Sequence, residues 1–95
     1  MTQETTTTPS KGCDTAVRHE DLFQVILHND DHTHADYVVR SLQRIFGHSL
    51  DLALKIMIEA HRRGRAIAEV ESESPARTHR DQLQSCGLLS TIEKI

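Results

Sequence analysis

Nine residues, HNDDHTHAD from His28 to Asp36, carry three histidines and three acids directly after the apolar run LFQVIL. Three chemistries are open to such a cluster. Asn29, Asp30 and Asp31 can be ordinary turn residues, because their side chains bond to nearby backbone and tolerate unusual φ. His28, Asp30, Asp31, His32 and His34 are possible metal ligands, but no thiolate or HExxH-type pair fixes a geometry. The calcium-loop pattern also fails, lacking a glycine at its sixth position and a glutamate at its twelfth. No metal or other cofactor is expected. A third chemistry begins from His61, one helical turn after Met57, since side chains at i and i+4 share a face, with Ala60 continuing the apolar surface. If that helix end approaches the turn, Asn29, Asp30, Asp31 and a neutral His61 make a rim of acceptors beside a small apolar hollow. Such a rim suits a cationic donor.

The elements that must hold these residues can be read from the pattern. LFQVILH alternates Phe23, Val25 and Leu27 against Gln24, Ile26 and His28, the period of a strand with one buried face. Thr33-His34-Ala35-Asp36 fits a helix start in which the Thr33 hydroxyl accepts from an unpaired amide and Asp36 faces the positive helix end. Val38, Leu42, Ile45 and Phe46 then form one apolar stripe, ending near Gly47. Ser49 offers an N-cap for a second helix to about Arg63, stopped by Gly64. Its charges fall on one stripe, Asp51, Lys55, Glu59 and Arg62, so this helix is expected to be the central one.

RAIAEVE reads as a second strand with Ala66, Ala68 and Val70 on one side. Pro75 fits the first turn of a short third helix through about Gln84, and LLSTIEKI closes the chain as a third strand. The order is strand, helix, helix, strand, helix, strand. It predicts a small α+β sandwich, a three-stranded antiparallel sheet with helices packed on one face.

Composition narrows the function further. Of the 95 residues, residues 1–20 are poor in apolar side chains and are expected to form a flexible N-terminal tail, leaving residues 21–95 as one core domain. A formal net charge of −3 supplies no cationic field for nucleic acid. No apolar run approaches the roughly 20 residues of a membrane span, and no secretory signal is visible. The two cysteines, Cys13 and Cys86, lack metal-type spacing and are not expected to pair. A cytoplasmic protein without nucleic-acid or membrane partners is the expectation.

VILHNDDHTHADYVVRSLQRIFG followed by ALKIMIEAHRRGRAI resembles the ClpS adaptor family, over roughly Phe23 to Val70 and more loosely through LLSTIEKI. The specific part is NDD-x-T at a strand-to-helix junction joined to M-x-x-A-H-x-x-G. The resemblance implies an adaptor and not an enzyme. Such a protein binds polypeptides by a free N-terminal hydrophobic residue, an N-degron, and delivers them to a Clp-type AAA+ unfoldase. It implies that Asn29 and His61 accept from the substrate α-ammonium and that Asp30 and Asp31 assist directly, through water or by charge. Thr33, Ala35, Val38, Met57, Ala60 and Leu88 would line or rim the side-chain pocket.

Three positions depart from the family pattern. Ala35 stands where methionine is usual, which should open the pocket wall toward β-branched first residues. His34 stands where proline is frequent. The third helix is shorter, and the acidic and lysine positions associated with unfoldase docking are replaced by Ser74, Arg77 and His79. An alternative is therefore a ClpS-like peptide-binding module with a different partner and no Clp delivery.

Overall fold

Alternating apolar residues build the central strand β1 (Leu22–His28), flanked on both sides by antiparallel partners, β2 (Arg65–Ser72) and β3 (Ser90–Lys94). The computed structural model describes residues 21–95. The expected tail at residues 1–20, with Cys13, lies outside the described residues. Between the strands run α1 (Ala35–Phe46), α2 (Leu50–Arg63) and α3 (Glu73–Ser85), giving the α+β order and open three-stranded sheet that the pattern predicts.

One face of the sheet carries the core. Val25 and Leu27 from β1 join Ala66 and Ala68 from β2, Val39 and Leu42 from α1, Ala53, Ile56 and Ala60 from α2, and Ala76 and Leu83 from α3. Each fully buried aliphatic side chain of the size of Leu42 or Leu83 contributes about 1.5–3 kcal/mol. Small residues on β2 and α2 let helix and strand approach closely.

On the opposite face Ile26 is also fully buried. The registers set it between Ile67 on β2 and Thr91 on β3, while Arg65, opposite His28, pairs with Glu93, opposite Gln24, at 3.3 Å. That ion pair reaches across the central strand and shields Ile26.

Two helix ends follow the pattern closely. Gly47 and Gly64 take left-handed φ of 74° and 89°, and their N–H groups close the last turns onto Gln43 and Ala60. Ser49 caps α2 by accepting from the Leu52 amide at 3.2 Å.

Three expectations change. Val70 does not share a side with Ala66 and Ala68, because the β1–β2 register slips between Val25 and Ile26 and leaves Ala68 as the extra residue. Such a bulge reverses the alternation beyond it. Val70 therefore turns outward, and Glu71 turns toward the helices, where its carboxylate accepts from His79 Nδ1. His48 Nε2 meets the Ala68 carbonyl at 2.7 Å.

Nor is α2 the central helix. It packs on β2 and α1 and leaves Leu50, Leu52 and Ile58 exposed, whereas α3 lies against all three strands. The single charged stripe hid this, because exposed leucines look the same as buried ones in a sequence. The third correction, at Thr33, belongs to the site.

Candidate functional site

The turn after β1 is pinned by its first two backbone groups. His28 N–H donates to Leu89 O and Asn29 N–H to Gly64 O, both at 2.9 Å. Gly64 is the residue that terminates α2, so the second bond draws the last turn of that helix, with Ala60 and His61, against the turn. The first bond draws in the segment between α3 and β3. There Gly87 has φ 85°, and Leu88 N–H closes onto Leu83 O at 3.0 Å, leaving the Leu88 side chain 3% exposed.

Asp30 organises the rest of the turn. Its carboxylate accepts from the His32 amide at 2.7 Å and from the Thr33 hydroxyl at 2.8 Å. Those two donors hold the Asp30 carboxyl below its ordinary value of 3.8, the His32 amide being the larger cause. Thr33 thus donates to Asp30 instead of capping α1. The N-cap position falls on His34, whose side chain makes no capping bond. The acid three residues upstream competed successfully for the hydroxyl, and the helix began one residue later.

These ties enclose one hollow with about 420 Å³ of empty space, its open mouth included. Asn29, Asp30, Thr33 and His61 supply its polar lining. Ala35 and Val38 from α1, Met57 and Ala60 from α2, and Leu88 supply its apolar lining. All the residues that the resemblance assigns to the rim and pocket therefore converge except Asp31, which lines an adjoining shallower hollow with His32, Gln84 and Leu89.

Two lining residues were not expected in the pocket from the sequence, Leu27 and His28, the latter having been weighed only as a metal ligand. Leu27 was legible in principle, because it is the last inward residue of the β1 alternation and lies next to the turn. His28 Nε2 lies 2.8 Å from Thr91 Oγ1, a partner that no local pattern reveals.

Chemically, the hollow offers side-chain oxygens and an imidazole at a rim above an aliphatic floor. Among the described residues no group of three or more His, Cys, Asp or Glu side chains converges as a metal site would need. No helix among them is long and apolar enough to cross a membrane.

Around α3, Arg77 pairs with Glu73 at 2.6 Å, and His79, besides meeting Glu71, packs its ring 4.7 Å from that of Phe46. Ser74 is exposed in the first turn. Two of the three residues that replace the expected docking positions are thus engaged in contacts of their own.

A model of the family described as ATP-dependent Clp protease adaptor protein ClpS matches residues 18–90. The chloroplastic ATP-dependent Clp protease adapter protein CLPS1 of Arabidopsis thaliana is 42% identical over 72 residues, covering 75% of this chain and 45% of that protein. The adapter protein ClpS of Desulfatibacillum aliphaticivorans is 41% identical over 64 residues, covering 67% of this chain and 62% of its own length. The chain thus spans about half the length of these two relatives. Among solved structures, that of Agrobacterium tumefaciens ClpS2 bound to L-phenylalaninamide superposes with a TM-score of 0.73 at 30% identity, over 80% of this chain and 99% of that one.

Proposed function

The chain belongs to the ClpS family of Clp protease adaptors, and from that premise we propose that it binds polypeptides by a free, hydrophobic N-terminal residue. The bound polypeptide is then handed to a Clp-type AAA+ unfoldase in the cytoplasm. The protein performs no chemistry of its own on its substrate.

The observation that carries this reading is the pairing of an acceptor rim with an apolar floor in one hollow. An α-ammonium is largely cationic at neutral pH and brings three donors. Asn29 Oδ1 and an imidazole nitrogen of His61 take two of them, and Asp30, ionised well below neutral pH, supplies a nearby negative charge. Asp31 adds charge from the adjoining hollow. Charge-assisted bonds contribute about 1.5–3 kcal/mol each, and burying a leucine or phenylalanine side chain against Val38, Met57, Ala60 and Leu88 about as much again.

Neither half suffices alone. An internal leucine has no ammonium and leaves the rim unsatisfied; a polar first residue satisfies the rim and leaves the floor empty. L-Phenylalaninamide, the molecule bound by the related Agrobacterium protein, carries both features and little else. That supports reading the same two features here.

Delivery is tested by reconstitution. With the Clp unfoldase and peptidase of the same organism, a Leu-initiated folded reporter should be degraded faster when this protein is present. Binding of the reporter without acceleration or co-purification of the unfoldase would favour the alternative, a peptide-binding module with another partner. The replaced positions Ser74, Arg77 and His79 keep that alternative in view.

A further inference from the structure

A groove between α1 and α2 shares a wall with the hollow. Ala35 and Met57 line both, and the groove continues over Val39 and Leu54, then Gln43 and Leu50. It contains about 720 Å³ of empty space, open solvent included, and Leu50 is 54% exposed at its far end. If the hollow takes the first residue of a polypeptide, as proposed above, the rest of that polypeptide must leave past one of its walls.

We propose that it leaves over Ala35 and Met57, and that the groove is a subsite for an apolar side chain at the third residue. The first argument is stereochemical. At the α-carbon of residue one, the ammonium, side chain and carbonyl diverge tetrahedrally. The ammonium occupies the rim of Asn29, Asp30 and His61, and the side chain points to the floor. Two directions remain, one for the hydrogen and one for the carbonyl, and the carbonyl has most room toward Ala35, the smaller of the two α1 side chains that line the hollow.

The second argument is a match of periods. In an extended chain alternate side chains share a side, and two residues advance about 6.4–6.8 Å. Along each helix one turn advances about 5.4 Å. From the Ala35 and Met57 pair, the next layer is Val39 and Leu54, one turn away on each helix. Residue two then faces solvent, and residue three lies over that layer. The adjoining hollow beside Asp31 is the poorer exit, because two of the three residues it shares with the main hollow, Asn29 and Asp30, hold the ammonium, and the third, Leu88, is buried in the floor.

The test is fluorescence anisotropy on labelled peptides beginning Leu-Gly-Gly, Leu-Gly-Leu and Leu-Leu-Gly, with an acetylated Leu-Gly-Gly control. Partial burial of one leucine should make Leu-Gly-Leu bind roughly fivefold more tightly than Leu-Gly-Gly, with no gain for Leu-Leu-Gly. Leu50→Glu and Leu54→Ser should each reduce that gain and leave Leu-Gly-Gly binding unchanged. Leu50 is exposed in the first turn of α2, where an acid suits the helix end, so that variant keeps its fold.

The subsite is overturned by an absent gain at position three, by a gain at position two instead, or by a gain that survives both variants. A dimer of the wild type that Leu50→Glu dissociates in sedimentation would also overturn it, with a second copy as the occupant. Equal binding of free and acetylated Leu-Gly-Gly is a different failure, since it removes the reading of the main hollow as well.

Discussion

Asn29 N–H donates to Gly64 O at 2.9 Å, so the turn that carries NDD is held to the residue that ends the His61 helix by backbone alone. The Asn29 side chain takes no part in that bond, and Asn29 lines the hollow. Binding and folding are therefore separable at this position. Asn29→Ala should leave the melting temperature within a few degrees and weaken binding of a Leu-initiated peptide about 10- to 100-fold. Gly64→Ala should do the opposite in origin. A Cβ there meets nothing within 4 Å, but φ of +89° costs an L-residue about 1–2 kcal/mol. Thermal unfolding should report that loss.

Asp30 makes a pH prediction whose sign follows from its donors. Its folded carboxyl lies below the ordinary 3.8, so the stability it contributes is present above the ordinary value and is lost as pH falls through the folded one. The stability difference between wild type and Asp30→Asn should stay flat from pH 7 to 5 and shrink below about pH 4. Shrinkage already between pH 7 and 5 contradicts the assignment.

His61 is tested by substitution. His61→Ala, at an exposed position on α2, should leave the melting temperature within a few degrees and weaken binding of a Leu-initiated peptide about 10-fold or more. Unchanged affinity would argue that His61 does not accept from the ammonium.

Ala35 sets the height of one wall. A larger residue there would crowd the β-carbon of residue one, which matters most when that carbon is branched. Ile- and Val-initiated peptides should bind the wild type within about a hundredfold of Leu, and Ala35→Met should widen the gap. Affinities of peptides differing only in residue one check it; a wild type that already excludes Ile and Val would refute the open wall.

Ser41 is fully buried in α1, and its hydroxyl has no partner among the described residues. Ser41→Ala removes that unpaired group and improves helix propensity. Stability by denaturant titration should rise by about 0.5–1 kcal/mol.

The legibility of this molecule in its sequence divides along a physical line. Local signals sufficed for β1, for the Ser49 cap and for the Gly47 and Gly64 stops, because each depends on residues within one or two turns of itself. What failed depends on partners far away or on competition. The bulge at Ala68 is a matter of register against β1, and nothing in RAIAEVE marks it. Thr33 looked like a cap until Asp30, three residues before it, took the hydroxyl.

Most of the hollow was legible only because a strand-end turn and a helix end were read together. Leu27 was missed although its alternation pointed inward. His28 was missed because its partner Thr91 is 63 residues away. Asp31 was read as part of the rim from its place beside Asp30, yet successive residues in a turn face different ways, and it lines the neighbouring hollow.

The most direct measurement compares two peptides identical except at the first nitrogen, one free and one acetylated, both beginning with leucine. Acetylation removes the cation and two of its donors and leaves the side chain untouched. A rim built to read the ammonium predicts binding of the free peptide and a loss of at least about a hundredfold on acetylation, the worth of two charge-assisted bonds. Equal affinity for the two would contradict it.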